Sequence, residues 1–252
     1  MTLEILTADI LGPTQHGFFT RRGGASSGIF KGLNCGTGSS DQSEIVAINR
    51  ARVAEAVRVP NGSLIALYQA HTSDVVTVKA PFPGEKPKAD GMVTNVPGLA
   101  LSILTADCQP VLFADLRAGV VGAAHAGWRG TLNGVLEATV ETMVDLGANR
   151  DSISAAIGPS ISQHAYEVGQ EFFNTFLNED QKNARFFAPG SGDRMQFDLP
   201  SYGLHRLQCA GVGAAEWIHH CTYSDSDRFF SYRRSTHAGE ADYGRLISVI
   251  RL

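Results

Sequence analysis

The chain has 252 residues, of which 43% are hydrophobic and 18% are charged, and its formal net charge is −4. This composition is typical of a folded globular protein rather than a disordered one, and the length suits one domain over residues 1–252. The acidic balance argues against nucleic acid or a membrane surface as partner, because both would favour a basic patch.

The location is predicted from the N-terminal segment and the overall hydropathy. The first twenty residues contain no basic segment followed by an apolar run, so we expect no signal peptide. No stretch approaches the roughly 20 apolar residues of a membrane-spanning helix. We therefore expect a cytoplasmic protein, whose 4 cysteines are free, catalytic or metal-bound rather than paired in disulfides.

One helix and five strands are predicted in the first half of the chain. Apolar residues recur at helical spacing over 41–58, where Asp41 is the expected N-cap. Short apolar runs predict strands over 63–68, 74–80, 99–105, 110–115 and 119–125. Because these runs are apolar at successive positions, we expect the strands to be covered on both faces.

The second half is predicted to be mainly helical. The pattern indicates a helix over 129–146 that ends at Gly147, a strand over 152–157, and helices near 167–178 and 198–210. Segments 81–91 and 188–193, which contain Pro and Gly, are predicted to be surface loops. Since strands come in runs broken by helices, we predict an α+β fold with mixed sheets layered against helices.

Polar residues stand at the ends of several predicted strands. Cys108 lies in a turn between two apolar strands, beside Asp107. An inert, packed thiol is the commonest fate of a cytosolic cysteine, but the polar neighbours favour a functional site. His125 ends the next strand, and one hairpin of the two strands would bring residues 108 and 125 together.

His71, which follows the strand at 63–68, could complete a metal site with Cys108 and His125. Two histidines and one cysteine suit a tetrahedral zinc ion whose fourth position is open to water, and such an ion activates that water. The same residues also suit a thiolate nucleophile at Cys108 with His125 as its base, oriented by Asp107. Spacing leaves both chemistries open.

Three arginines are candidate anion ligands. Arg129 stands at the predicted start of a helix, where it could bind an anion together with free N–H groups. Arg233 and Arg234 follow aromatic residues and could hold a phosphate or stack on a base. A surface ion pair is the alternative for Arg129, and a solvated strand end is the alternative for the other two. Asp90 could cap a turn or bind a ligand histidine.

The chain resembles the family variously called YfiH-like, multicopper polyphenol oxidase (laccase) and peptidoglycan editing factor. The resemblance extends from about residue 16 to the C-terminus and includes the segments HGFFTRRGG, LNCG, QAHTSDV, LTADCQPVLFAD, HAGWRGTLNGV and CTYSDSDRFFSYRR. It implies that His71, Cys108 and His125 hold zinc. It also implies a cysteine-hydrolase-like α/β sandwich in a soluble, cytoplasmic protein.

The activities implied by this resemblance are diverse. They are phosphorolysis of adenosine, inosine and methylthioadenosine, deamination of adenosine, copper-dependent polyphenol oxidation, and hydrolysis of a wrongly built peptidoglycan precursor. The chain's 8 histidines include no HxH pair and cannot readily supply a mononuclear and a trinuclear copper centre, so we expect Cu²⁺ only in the zinc site in vitro. Deamination would use Asp107 for proton transfer, and phosphorolysis would use Arg129 with Arg233 or Arg234 for phosphate.

Three hypotheses follow from the sequence. The first is a zinc-dependent purine nucleoside phosphorylase with adenosine deaminase activity. The second is an amidase of peptidoglycan precursors that uses zinc or Cys108, and the third is a binding protein with a structural zinc. The loop at 235–243 is longer than expected and adds His237, Glu240 and Asp242, which leaves substrate choice open. The sequence predicts no oligomeric state.

Overall fold

The computed structural model describes residues 2–252, and its strands form three sheets. The strands are β1 (Ile5–Leu6), β2 (Gln15–Phe19), β3 (Leu64–Ile65), β4 (Val75–Thr77), β5 (Gly91–Thr94), β6 (Ala100–Thr105), β7 (Gln109–Asp115), β8 (Val120–Ala126), β9 (Ser154–Ile157), β10 (Glu167–Val168), β11 (Phe187–Pro189), β12 (Met195–Phe197), β13 (Ala214–Trp217) and β14 (Leu246–Arg251). The helices are α1 (Ser43–Ala56), α2 (Trp128–Leu132), α3 (Val135–Asp145), α4 (Gln170–Glu179), α5 (Leu199–Cys209) and α6 (Tyr232–His237).

The two large sheets are both mixed. The first has the order β1-β2-β14-β6-β3, in which only the β3–β6 pair is parallel. The second has the order β13-β9-β7-β8-β5-β4, with parallel pairs at its two edges and antiparallel pairs between them. A small antiparallel sheet, β10-β12-β11, lies apart from both. This mixture confirms the predicted α+β class, whereas the cysteine-hydrolase-like label stays a prediction.

The core is built in four layers. Leu101 and Ile103 of β6 pack with Leu112 of β7 between the two large sheets. On the outer face of the second sheet, Phe113 packs against helices α3 and α5, and α1 covers the outer face of the first sheet. Neighbouring residues of β7 therefore bury opposite faces, which explains why this strand is apolar at successive positions.

Several predicted elements are confirmed, with bounds that differ by one or a few residues. Helix α1 lies within the predicted range 41–58, and β6 to β9 lie within or beside the predicted runs. Asp41, however, is not the N-cap, since Gln42 holds that position. The Asp41 carboxylate accepts hydrogen bonds from Ser26, Asn34 and the backbone N–H of Gln42. It therefore stabilises the loop before the helix instead of the first helical turn.

The predicted helix over 129–146 is interrupted. Gly134 has φ 96°, which ends α2 and lets α3 begin in a new direction. Residues with a Cβ rarely adopt this left-handed conformation, so the break coincides with a glycine. Near 167–178 the chain first forms β10 and only then α4. The other elements without a counterpart among the predicted ones are strands β1, β2, β5, β11, β12, β13 and β14 and helix α6.

No helix among residues 2–252 is both long enough and apolar enough to cross a membrane.

Candidate metal centre

The predicted triplet His71, Cys108 and His125 comes together in the structure. Strand pairing places Pro110 opposite His125, so Cys108, just before β7, lies beside the end of β8. The possible ligand atoms of the three residues all lie within 4.8 Å of one another, and Cys108 Sγ is 3.9 Å from His71 Nε2. The hairpin predicted from the spacing of residues 108 and 125 is confirmed.

Asp90 contacts His125 and the loop that carries His71. Its carboxylate lies 2.6 Å from His125 Nδ1 and accepts hydrogen bonds from the backbone N–H groups of Ala70 and Thr72 and from the Thr72 hydroxyl. The bond to Nδ1 leaves Nε2 of His125 free for a ligand, and the two N–H bonds hold the loop that carries His71. Of the two roles considered for Asp90, the structure shows the contact with a ligand histidine.

Hydrogen bonds and the charge of His125 have a larger effect than burial on the pKa of Asp90. Burial by itself would raise the pKa of this carboxyl group, but the hydrogen bond and charge of His125 and the two backbone N–H groups hold the pKa well below its usual range. Asp90 is therefore ionised at neutral pH. A charged carboxylate on Nδ1 makes His125 a more basic ligand.

Cys108 and His125 shift each other's protonation in the metal-free protein. Burial raises the pKa of Cys108, but the charge of His125 and hydrogen bonds from both histidines outweigh it, and the pKa falls to about 7. Burial lowers the pKa of His125, but the Cys108 thiolate and Asp90 raise it to about 9. The two residues thus favour a thiolate–imidazolium pair near neutral pH.

The donor set fits a transition-metal ion. A tetrahedral ion with nitrogen at about 2.0 Å and sulfur at about 2.3 Å separates its donor atoms by roughly 3.5 Å, close to the distance between Cys108 and His71. Gly127 leaves the space, because a Cβ there would lie 2.8 Å from Cys108 Sγ and 3.0 Å from His71 Cδ2. The three side chains can therefore hold a metal ion.

Asp107 does not face the triplet, contrary to the proton-transfer role predicted for it. Its buried carboxylate accepts hydrogen bonds from the hydroxyls of Thr222 and Ser231 and from the backbone N–H of Arg233. Burial raises the pKa of this carboxyl group against the effect of these bonds. Asp107 also has φ 83°, so it shapes the turn before Cys108 and holds the C-terminal segment against it.

Two of the three candidate arginines are held by neighbouring groups of the protein. Arg233 donates to the backbone carbonyl of Glu167 and lies over the ring of Tyr166. The guanidinium of Arg234 donates to backbone carbonyls of Thr222, Tyr223 and Phe229. Neither arginine lines the cavity at the triplet, so the structure does not support their predicted role as phosphate ligands.

Arg129, the third candidate, lies on the surface. Its guanidinium stands over the ring of Trp128 at 4.8 Å, and it does not line the cavity at the triplet either. Helix α2 begins at Trp128, one residue before Arg129, and has only 5 residues, so it offers little support for the expected anion site at a helix start. None of the three predicted anion ligands therefore lines the cavity at the triplet.

A cavity of about 1050 Å³ opens at the triplet. Its lining includes the positively charged residues Lys86, Lys88 and Arg245. It also includes three tyrosines, Tyr68, Tyr232 and Tyr243. These residues come from separate segments of the chain, so their spacing in the sequence does not indicate a common cavity. The sequence offered only their types, aromatic and basic, as a sign of a binding site.

The tyrosines offer accessible aromatic surface. Tyr68 is 63% exposed and Tyr232 is 52% exposed, although both are large rings that burial would stabilise. Tyr232 meets Tyr243 edge to face with ring centroids 5.0 Å apart, and Arg245 lies 4.1 Å over the Tyr243 ring. Exposed aromatic faces beside cations suit a flat, polar ligand.

The segment 235–243 contributes to this cavity mainly through its last residue. Asp242 accepts from Ser40 and from Arg245, so it ties the segment to the loop before α1. His237 contacts the Tyr223 hydroxyl at 3.0 Å instead of the cavity. Of the acidic and histidine residues that this segment adds, Asp242 is the one that positions a cavity residue.

Comparison with known proteins gives consistent results. The family model described as multi-copper polyphenol oxidoreductase laccase matches residues 15–252. A protein of Deinococcus radiodurans named purine nucleoside phosphorylase is 41% identical over 244 residues, which cover 94% of this chain and 88% of that protein. The purine nucleoside phosphorylase YfiH of Escherichia coli is 38% identical over 222 residues, covering 87% and 88%.

Solved structures agree with these relatives. A Neisseria meningitidis protein of family DUF152 superposes with a TM-score of 0.89 at 35% identity and covers 100% of this chain and 99% of its own. YlmD from Geobacillus stearothermophilus gives a TM-score of 0.86 at 28% identity, with coverage of 97% and 93%. With this family match and these relatives, the chain belongs to the laccase-like YfiH family, and the relatives from Deinococcus radiodurans and Escherichia coli are named purine nucleoside phosphorylases.

Proposed function

We propose that the protein is a zinc-dependent, cytoplasmic purine nucleoside phosphorylase that acts on adenosine, inosine or methylthioadenosine and also deaminates adenosine. The observation that carries this proposal is the opening of the His71, Cys108 and His125 triplet onto a large cavity lined by tyrosines and cations. Pockets for small molecules commonly measure about 300–1,000 Å³, so this cavity has room for a nucleoside together with phosphate. The names of the relatives support the same substrate class.

The cavity residues divide between the two parts of such a substrate pair. The exposed faces of Tyr68 and Tyr232 would stack on a purine, and Arg245 and Lys88 would attract phosphate. In phosphorolysis, a phosphate oxygen bonds to the anomeric carbon while the bond from that carbon to the purine nitrogen breaks. The purine leaves with the electron pair and takes up a proton.

The metal would be held by the triplet and oriented through Asp90. Zinc in this site would supply a Lewis acid within reach of the cavity, and Cu²⁺ could enter the same site in vitro. His125 would bind through Nε2 because Asp90 occupies its Nδ1 side. Within residues 2–252 this triplet is the one cluster of His, Cys, Asp and Glu with metal-binding spacing, which favours a single metal over several coppers.

A second candidate function is hydrolysis of wrongly built peptidoglycan precursors. The observation that favours it is the position of Cys108, whose Sγ lies 3.9 Å from His71 Nε2, and the charge and hydrogen bonds of the two histidines lower the pKa of this thiol to about 7. In that reaction Cys108 would attack an amide carbonyl, and the C–N bond would break as His125 supplies a proton to the leaving amine. Water would then hydrolyse the thioester, which releases the carboxylic acid and restores Cys108.

The test is metal analysis of purified protein combined with product analysis on adenosine, with and without phosphate. One zinc per chain and adenine formed only with phosphate would support the phosphorylase, and inosine formed without phosphate would support the deaminase. Bound zinc with untouched adenosine would reject the nucleoside enzyme in favour of the amidase. Cys108→Ala should lose metal and activity together, whereas Cys209→Ala, an exposed cysteine outside the triplet, should keep both.

A further inference from the structure

The cavity at the triplet opens where the chain after strand β3 parts from strand β6. The parallel ladder between these two strands ends with Ile65 opposite Leu101. The chain that follows lines the cavity with Leu67 and Tyr68, and β6 lines it with Leu104. Paired strands lie only about 4.8 Å apart, so a continued ladder would leave no room for a ligand between the two segments. The end of the ladder therefore makes room for the cavity.

The side chain of Gln69 spans this gap. Its Nε2 atom donates a hydrogen bond to the backbone carbonyl of Leu104 at 2.7 Å, and its Oε1 atom accepts one from the Leu104 N–H at 2.8 Å. A side-chain amide carries a donor and an acceptor side by side, so it matches both groups of one backbone residue. Gln69 thus replaces the backbone ladder with a longer link, which fixes the separation of the two segments.

The residue before Gln69 is Tyr68, whose ring faces the open cavity. This side chain is 63% exposed, so its position depends mainly on its backbone. The Tyr68 N–H donates to the Pro87 carbonyl at 2.9 Å, and the Ala89 N–H donates to the Tyr68 carbonyl at 3.3 Å. These bonds pair Tyr68 with the segment that carries Lys88, another cavity residue. Gln69 joins this pair of segments to β6.

His71, two residues after Gln69, has a strained backbone. Its φ of 59° lies in the left-handed region, which residues with a Cβ adopt at a cost. Asp90, just before β5 of the second sheet, holds the backbone on both sides of His71. Gln69 holds the same loop to β6 of the first sheet. Strained conformations persist where the surroundings over-determine them, and here the loop is fixed to both sheets.

We propose that Gln69 is a positioning residue, which holds the ring of Tyr68 and the imidazole of His71 in one fixed arrangement. Although Gln69 lines the cavity, both polar atoms of its amide are bonded to Leu104, so it acts through the loop. This inference rests on the proposed function, in which Tyr68 stacks on the purine and His71 binds zinc. The carboxamide of Gln69 thereby couples the subsite for the base to the subsite for the metal.

The test uses Gln69→Met, which keeps the length of the side chain and removes both hydrogen bonds. Asn183→Leu is the matched control, because it removes a buried amide that donates to the Phe176 carbonyl at 3.0 Å and does not line the cavity. Chelator competition measures zinc affinity, and calorimetry on zinc-loaded protein measures adenosine binding. Loss of two hydrogen bonds should raise both dissociation constants by about 10-fold in Gln69→Met. Asn183→Leu should keep both wild-type values, although its Tm should fall.

Tyr68→Leu shows whether Gln69 acts through the ring. When the ring is absent, Gln69→Met should weaken adenosine binding no further, although zinc binding should still fall. In turnover with excess zinc, Gln69→Met should raise the KM for adenosine and leave kcat near the wild-type value, whereas a loss of folded enzyme would lower kcat at an unchanged KM. Wild-type zinc affinity in Gln69→Met would overturn the proposal. An undiminished further loss of adenosine binding in the Tyr68→Leu background would also overturn it.

The zinc measurement separates this inference from the proposed function. If the wild type cleaves adenosine with phosphate but Gln69→Met keeps the zinc affinity and the KM of Asn183→Leu, the positioning role is wrong and the phosphorylase stands. If the wild type leaves nucleosides intact but Gln69→Met binds zinc about 10-fold more weakly, the phosphorylase is wrong and the positioning of His71 by Gln69 stands.

Discussion

At the scale of single residues, the triplet depends on two neighbours that are not ligands. Asp90 orients His125 and also holds the backbone on both sides of His71, so one carboxylate positions two of the three candidate ligands. Gly127 contributes by having no side chain. The site therefore needs Asp90 and Gly127 in addition to the three candidate ligands.

Gly127→Ala should weaken zinc binding without unfolding the protein. The added methyl group would press on Cys108 and His71, whereas the backbone at Gly127 has φ −67°, which alanine adopts readily. We expect a loss of zinc affinity on the order of 10- to 100-fold, the usual effect of displaced ligands. Competition with a chelator measures it, and Gly62→Ala, which meets no neighbour, is the control. Equal affinities would contradict the geometry of the site.

The pH dependence of alkylation should report the state of Cys108. In chelator-treated protein, iodoacetamide reacts with the thiolate, so the rate should rise with pH around a midpoint near 7 instead of about 8.5. Asp90→Asn should move the midpoint upward, because a less basic His125 carries less positive charge to stabilise the thiolate. Peptide mass spectrometry gives the rate at this residue. A midpoint at or above the ordinary value would show that the thiolate–imidazolium pair does not form.

At the scale of elements, the β7–β8 hairpin and the following turn build the site. Antiparallel pairing brings the start of β7 back to the end of β8, which places Cys108 and His125 side by side. Helix α2 begins directly after β8 and is only 5 residues long. The break at Gly134 then lets α3 pack along the outer face of the sheet through Val135, Val140 and Met143.

Gly134→Ala tests whether this break is required. Because φ is 96°, a Cβ is strained although the nearest side-chain atoms are 3.7 Å away, so the loss should come from the backbone alone. We expect the free energy of unfolding to fall by about 1–2 kcal/mol. Urea denaturation measures it. Gly84→Ala, at an open position without a positive φ, should change little, and an equal effect in both variants would argue against backbone strain.

At the scale of the whole molecule, the last strand lies inside the first sheet. β14 pairs with β2 on one side and with β6 on the other, so residues near both ends of the chain meet in one sheet. Its residues Ile247, Val249 and Ile250 are fully buried and face two different core clusters. Both of these clusters therefore depend on this strand.

Deletion of residues 246–252 should abolish cooperative folding. Both neighbouring strands would lose their ladder, and apolar surface on two faces would be exposed. Circular dichroism during urea denaturation should show no sigmoidal transition, and limited proteolysis should be rapid. A chain lacking only Leu252, which follows the strand, should fold normally. Cooperative unfolding of the longer deletion would show that the rest of the sheet suffices.

The sequence alone determined the features that depend on local patterns. Continuous apolar runs located β6, β7 and β8, helical spacing located α1, and the length of one hairpin placed Cys108 beside His125. Each of these follows from residues close together in the chain, where periodicity and turn length constrain the structure directly.

Only the tertiary structure decided the partners of residues that lie far apart in the chain. It assigned Asp90, not Asp107, to His125, and it turned the donors of Arg234 toward backbone carbonyls. It also gathered Tyr68, Lys88 and Arg245 around the cavity at the triplet. Strand β14 was not predicted for the same reason. It pairs with strands more than one hundred residues away, and hydrophobic periodicity does not indicate such distant contacts.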